Sequence, residues 1–420
     1  MGLIEHMTRK NKVLFFYTKQ YPYGTAEVYI ADELSFLSKT FDKILIFPME
    51  QFAEKENPVY RQIPDNAEVV EINNFTEKVK PGLSILSRVR LIMEEMLNEK
   101  RKFSVLLNFR RYFGILSYQS MLATFFKKYI LMYSGDDTYY YSYWCHHACI
   151  MLGMLKEKGL IKAFVSRAHS MDLYHSHWTA SGVGVLPFRH FKFRSLSAIF
   201  PVSMAGEKFL KVNHPEVSDR AKCFYLGVAD NGLSPIQSGM EFTIVSCSSL
   251  TANKRIPLII EILSAMKINM RWIHFGGGVE KENISEQVKR IPPHVNYELR
   301  GQVGHQEIIR FYKENCVNLF LNVSEAEGIP VTMMEAISFG IPVMATSVYG
   351  NPEIANEETG FSIPEKFEPG QVAHIIENFA GNFSLQMSKR VSARKYYELH
   401  FQMAKNYPKF MTELLRYSNL

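Results

Sequence analysis

Two carboxylates, Glu327 and Glu335, stand eight positions apart in the run Ser324-Glu325-Ala326-Glu327-Gly328-Ile329-Pro330-Val331-Thr332-Met333-Met334-Glu335-Ala336. Pro330, between them, suits the first turn of a helix, where its missing N–H is not needed. Gly340, followed by Pro342, suits the end of the same helix. The spacing therefore predicts Glu327 in a loop and Glu335 inside the helix that follows it. The first N–H groups of a helix have no partner within it and favour an anion, phosphate above all. Two carboxylates do not bind that anion. They suit accepting hydrogen bonds from hydroxyls on either side of it, as on a ribose and a hexose. Earlier in the chain, Thr251-Ala252-Asn253-Lys254-Arg255 follows a strand that ends near Ser248. Cations on a strand-to-helix loop, at the carboxyl edge of a sheet, are placed to meet phosphate oxygens.

The longer pattern Ser-x-x-Glu-Gly-x-Pro-x4-Glu-Ala-x3-Gly-x-Pro-Val-x-Ala-Thr, from Ser324 to Thr346, resembles the donor-site signature of retaining glycosyltransferases of family 4. The resemblance implies an α/β protein of the GT-B fold, two Rossmann-like domains facing across a cleft, with a C-terminal helix crossing back to the N-terminal domain. It implies an acceptor-side domain over residues 1–230, a nucleotide-sugar donor domain over 231–395, and the returning helix over 396–420. Glu335 would bind the ribose hydroxyls and Glu327 the sugar. Lys254, Arg255 and the N–H groups around Gly328, Ile329, Val331 and Thr332 would hold the diphosphate, with Lys254 neutralising charge that builds on the departing nucleotide diphosphate. Many relatives carry an arginine where this chain has Ser249.

Ser166-Arg167-Ala168-His169-Ser170-Met171-Asp172 follows a strand in the first half. It resembles the Arg-Ala-His-x-x-Asp of relatives that build bacterial surface polysaccharides. That implies a catalytic position for His169, lining the cleft near the transferred sugar and reaching the site from the other domain, while Arg167 and Asp172 shape the loop. The loop Tyr21-Pro22-Tyr23-Gly24-Thr25-Ala26-Glu27 corresponds to the acceptor-facing loop, with Gly24 and Glu27 as acceptor contacts. Glu27 fits an exposed residue of the first helical turn equally well. Relatives often have two glycines there; this chain has one. Gly276-Gly277-Gly278 lacks the spacing and acidic partner of a dinucleotide fingerprint and matches the loop where relatives contact the nucleotide. Tyr349-Gly350-Asn351-Pro352-Glu353 resembles a later glycine–glutamate turn and reads as structural. The fold needs no tightly bound cofactor or metal.

The 420 residues are enough for two domains of ordinary size. Hydrophobic residues make up 47% and charged residues 21%, an ordinary globular balance. No run reaches the length of a membrane-crossing helix, and the early residues 13–17 are strand-sized and lack a signal-peptide cleavage pattern. Five cysteines without framework spacing fit a reducing cytoplasm. Cys145-His146-His147-Ala148-Cys149 carries metal-ligand residue types, but cysteines four apart on a helix favour a buried stripe. A net charge of +6 does not indicate nucleic acid by itself. Basic and aromatic residues interleave from Arg88 to Lys128, including Arg101, Lys102, Arg110, Arg111 and Lys127. One face of this stretch could rest on anionic lipid at the inner face of the cell membrane. A solvated basic face over a normal core is an equal alternative.

Strand-sized apolar runs at residues 13–17, 41–47, 139–143, 163–166 and 198–202 alternate with helical stretches, notably 27–38 and one ending near 157. The pattern restarts with strands at 243–247, 271–275, 319–323 and 341–345 and a helix at 257–266. Residues 229–239, rich in Gly, Asn, Ser and Pro, suit a linker. This order implies parallel sheets. The function expected is transfer of a sugar from a nucleotide-diphosphate sugar to a glycan or lipid-linked acceptor, in bacterial capsule, exopolysaccharide or lipopolysaccharide synthesis. The alternatives are a nucleotide-sugar epimerase of the same architecture and a non-catalytic glycan- or nucleotide-binding protein.

Overall fold

The computed structural model describes residues 10–24, 27–50, 60–72, 82–99, 102–174 and 186–419. The chain divides into two compact units. Unit 1 takes the residues up to Val202, Gly206–Phe224 and those from Tyr407 on; unit 2 takes Ser203–Ala205 and Tyr225–Asn406.

Unit 1 holds β1 (Lys12–Thr18), β2 (Lys43–Pro48), β3 (Ala67–Val69), β4 (Asp137–Ser142), β5 (Val165–Ala168) and β6 (Ala198–Pro201), in the order β3-β2-β1-β4-β5-β6. Unit 2 holds β7 (Phe242–Cys247), β8 (Met270–Phe275), β9 (Val295–Gly301), β10 (Leu319–Asn322), β11 (Val343–Thr346) and β12 (Gly360–Ile363), in the order β12-β11-β10-β7-β8-β9. Neighbouring strands pair in parallel throughout. In each sheet the strand order reverses once, at β1/β4 and at β7/β10. In open parallel sheets, ligands bind outside the carboxyl ends of the strands at such a reversal.

The central strands are apolar on both faces because helices cover both. Along β1, Val13, Phe15 and Tyr17 enter one buried cluster while Leu14 and Phe16 enter the other. Three strands, β3, β9 and β12, do not show as apolar runs in the sequence. All three are sheet edges, where short or polar strands guard against pairing with another chain. In β9, Val-Asn-Tyr-Glu-Leu-Arg-Gly, only Val295 is buried.

A buried ion pair ties the first helix of unit 1, Ile30–Thr40, to the end of its sheet. Arg167 Nε donates to Glu33 Oε2 at 2.9 Å, and the Tyr141 hydroxyl donates to Glu33 Oε1 at 2.6 Å. The Phe410 ring lies 3.9 Å from the Arg167 guanidinium. Burial raises the Glu33 pKa, and the neighbouring guanidinium opposes that rise. Arg167 therefore shapes the base of the His169 loop.

Candidate functional site

The loop after β10 is held before any ligand arrives. Asn322 Oδ1 accepts from Ser324 N at 2.8 Å, and Thr346 Oγ1 donates to the Ser324 carbonyl at 2.6 Å. A side chain on Gly350 would collide with the carbonyl of Gly328, so that turn must be glycine for the loop to keep its path. Pro330 caps the helix Val331–Ser338, and Gly340 leaves it at φ +72°. Glu327 lies in the loop and Glu335 in the helix, where its residue is buried.

The loop after β7 is joined to the first. Glu325 N donates to the Asn253 carbonyl at 2.8 Å, and Asn253 Nδ2 donates to the Ala326 carbonyl at 3.1 Å. This contact carries Lys254 Nζ to 2.5 Å from Glu327 Oε1. Arg255 departs from its expected role. In the left-handed conformation at φ +49°, it turns its guanidinium inward. There it donates to the carbonyls of Val323 (2.6 Å), Ser324 (3.3 Å) and Glu365 (3.0 Å). Those bonds commit it to bracing the Glu327 loop.

Glu335 Oε1 lies 2.6 Å from Nε2 of His305, the first residue of the helix His305–Glu314. A cavity of about 160 Å³ opens in the same unit, lined by Cys247, Ser249, Gly276, Gln302 and Thr332 among others. A smaller cavity next to it, of about 10 Å³, shares Cys247 and Ser248 and includes Lys254 and Asn322. Burial pushes the Cys247 thiol up to about 12, with Glu335 raising it further and Lys254 opposing. A single side chain at the end of β7 thus feels both charged groups. Gly276, at φ +141°, passes so close to the Ser248 carbonyl that a side chain there would collide with it. The Lys254 loop, the Glu327 loop and the start of the helix Val331–Ser338 therefore meet at the β7/β10 reversal.

In unit 1, His169 follows β5. Its backbone N–H donates to Asp172 Oδ2 at 2.9 Å, and its ring packs 4.3 Å from that of Trp144. Burial first, and Arg167 second, push its pKa down to about 3; a hydrogen bond with the Tyr143 backbone opposes them. Nε2 has no hydrogen-bond partner among the described residues. The ring is therefore neutral from well below pH 5 upward. Its nuclear magnetic resonance signals, assigned against His169→Gln, are expected not to titrate between pH 5 and 8. A midpoint near the ordinary histidine value, about 6.5, would contradict this burial. Asp172 is raised to about 6 by burial and serves the loop.

Glu27 is corrected on one reading, that of an exposed residue in the first helical turn. It is 4% exposed and precedes the helix, which starts at Ile30. Its carboxylate accepts from the N–H groups of Lys19 (3.2 Å), Gln20 (2.7 Å) and Tyr21 (2.7 Å) and from Trp144 Nε1 (2.5 Å). It locks the loop from inside. Gly24 bends the same loop at φ +72°; Thr25 and Ala26 lie outside the described residues.

Comparison with known proteins bears on unit 2 first. Residues 235–396 match the family of glycosyl transferases group 1. Over 189 residues the chain is 27% identical to the UDP-N-acetylglucosamine–peptide N-acetylglucosaminyltransferase GtfA subunit of Streptococcus parasanguinis, covering 43% of this chain and 36% of that protein. It thus spans about a third of the length of that relative. Two crystal structures match nearly throughout. Anabaena Alr3699/HepE, solved with UDP and glucose, is 17% identical with a TM-score of 0.64, covering 96% of this chain and 99% of that one. WaaG, a glycosyltransferase involved in lipopolysaccharide biosynthesis, is 14% identical with a TM-score of 0.62, with the same coverage. The two parallel six-stranded sheets are the GT-B arrangement of these glycosyltransferases.

The glycosyl transferases group 1 segment contains Lys254, Glu327, Glu335 and also His305, which the sequence reading did not single out. Its signal was weak: a lone histidine after Gly304, in a chain with 13 histidines. Only folding sets it against Glu335.

Proposed function

We propose that this chain is a retaining glycosyltransferase that moves a sugar from a nucleotide-diphosphate sugar to a hydroxyl of a glycan or lipid-linked acceptor. The bond from the anomeric carbon to the diphosphate breaks, and its electron pair leaves with the nucleotide diphosphate. A bond from the acceptor oxygen forms on the same face, and the hydroxyl proton passes to the departing diphosphate. Lys254 stabilises the departing charge, the N–H groups of Val331 and Thr332 hold the phosphates, Glu335 binds the ribose, and Glu327 binds the sugar. The observation that carries this reading is the Lys254–Glu327 pair at 2.5 Å, set at the β7/β10 reversal beside the helix that bears Glu335. The lipopolysaccharide role in the name of WaaG favours bacterial surface glycans as the setting. A panel of UDP-, GDP- and ADP-sugars tests the reading: transfer or slow hydrolysis of at least one is expected. No turnover and no nucleotide binding would overturn it, and an isomerised donor without transfer would make the chain an epimerase.

We also propose that the helices Ile85–Asn98, Lys102–Leu107 and Phe109–Met132 rest on anionic lipid at the cytoplasmic face of a membrane. Leu86, Phe103 and Leu107 are 82%, 81% and 85% exposed, and Arg90, Arg110 and Arg111 are exposed among them. The carboxylates of this stretch are engaged: Glu94 with Arg194 (2.6 Å), Glu95 with the N–H groups of His190 and Phe191 (both 3.3 Å), and Glu99 with Arg189 (3.3 Å). Arg101 lies outside the described residues, as does the side chain of Lys102. No helix among the described residues is long and apolar enough to cross a membrane, so contact would be at the surface. Flotation should recover the protein with phosphatidylglycerol vesicles at low salt and lose it at high salt or with Leu107→Glu. Failure to float with anionic vesicles would remove the proposal.

A further inference from the structure

His305 and Glu335 make a pair that the fold does not need for stability. The side chain of His305 is 35% exposed and that of Glu335 9%. A pair with one member so open to water contributes little to the folded state. The two helices that carry it are already fixed by apolar packing. Along His305–Glu314, Ile308, Ile309, Phe311 and Tyr312 are buried, and the Tyr312 ring lies 5.4 Å from that of Phe339. Phe339 ends the helix Val331–Ser338, one turn beyond Glu335. Positions 305, 308 and 312 share one helix face, so the packing that sets Tyr312 against Phe339 also turns His305 towards Glu335.

The bond between them has one sense. An ionised carboxylate only accepts, so Nε2 of His305 donates to Glu335 Oε1 at 2.6 Å. A carboxylate held at one oxygen no longer rotates freely about its last bond, and the direction of its second oxygen, Oε2, is set with the first. Gln302, Val303 and Ile308, from the segment around His305, line the cavity of about 160 Å³, and so does Thr332, from the turn before Glu335. The pair therefore joins two segments that both contribute to that cavity.

We propose that His305 is a positioning residue for recognition of the nucleotide's ribose: it holds Oε1 of Glu335 so that Oε2 meets the vicinal hydroxyls in one fixed geometry. This rests on the function proposed above, in which Glu335 binds the ribose. His305 acts through the carboxylate and makes no contact with the nucleotide. Its contribution is preorganisation, because the carboxylate is ordered on folding and not on binding.

The test is calorimetric titration of the full chain with whichever of UDP, GDP and ADP gives the largest melting shift, and with its 2′-deoxy analogue. His305→Ala should weaken the ribonucleotide about three- to tenfold, the loss typical of one hydrogen bond, and the deoxy analogue less. His305→Gln, whose amide can donate to the same oxygen, should recover most of that loss. Without ligand, both variants should melt close to the native midpoint, because the apolar contacts of the helix remain. The decisive arm is a cycle with Glu335→Ala. In that background His305→Ala should cost at most about twofold, since its effect passes through the carboxylate. Unchanged affinity in His305→Ala, equal losses for the ribo- and deoxynucleotide, no recovery in His305→Gln, or the same loss with and without Glu335 would each overturn the inference. If affinity falls with Glu335→Ala and not with His305→Ala, the positioning role fails alone; if none of the three nucleotides binds the native protein, the enzymatic reading fails with it.

Discussion

Lys254→Ala is expected to lower sugar transfer about 10²–10³-fold at saturating donor, the usual cost of removing one preorganised group that meets charge built up in the transition state. The expectation follows from what surrounds it. Arg255 is committed to the carbonyls of Val323, Ser324 and Glu365, so it does not substitute when the lysine is lost. Lys254 is half-buried and held against Glu327, so its position does not have to be found anew in each turnover. The effect should fall mainly on kcat, because the charge it meets grows as the sugar–phosphate bond breaks. Lys254→Arg should rescue poorly, since a planar fork does not replace a compact ammonium at a fitted position. The check is steady-state kinetics with the active donor, beside a melting curve to show that the variant is folded. A loss smaller than about threefold would remove Lys254 from the chemistry.

Glu335→Ala should weaken nucleotide diphosphate binding about 10- to 100-fold, as expected for hydrogen bonds from ribose hydroxyls to a charged acceptor. Glu335 stands on the buried face of the helix Val331–Ser338, and His305 holds one of its oxygens at 2.6 Å. The carboxylate is therefore oriented before the ribose arrives. Ribose recognition supplies a sharper test than affinity alone. The native chain should bind a nucleoside diphosphate more tightly than its 2′- or 3′-deoxy analogue, and Glu335→Ala should treat them alike. Calorimetric titration of native protein and variant measures both. Undiminished discrimination in the variant would place the ribose elsewhere.

How much of this was legible from the residues depends on where each one sits. The central strands β1, β7 and β10 were readable because burial on both faces demands unbroken apolar runs. The edge strands β3, β9 and β12 were not, because an edge tolerates polar residues and short length. The helix bearing Glu335 was readable from Pro330 and Gly340, whose backbone preferences act locally. Arg255 and Glu27 were misread for one shared reason. A charged residue type near a ligand loop does not say which way the side chain turns, and both turn inward to satisfy backbone groups of the loop. His305 gave no local pattern at all. Its meaning depends on Glu335, a partner far away in sequence.

The central claim is that the Lys254 loop, the start of the helix Val331–Ser338 and Glu335 form one cradle for a nucleoside diphosphate. Thermal-shift titration of native protein, Lys254→Ala and Glu335→Ala with UDP, GDP and ADP tests it most directly, since a ligand that binds the folded state raises the midpoint. The account predicts that at least one of the three raises the native midpoint and that each substitution diminishes the shift. No shift with any of the three, or equal shifts in all three proteins, would contradict it.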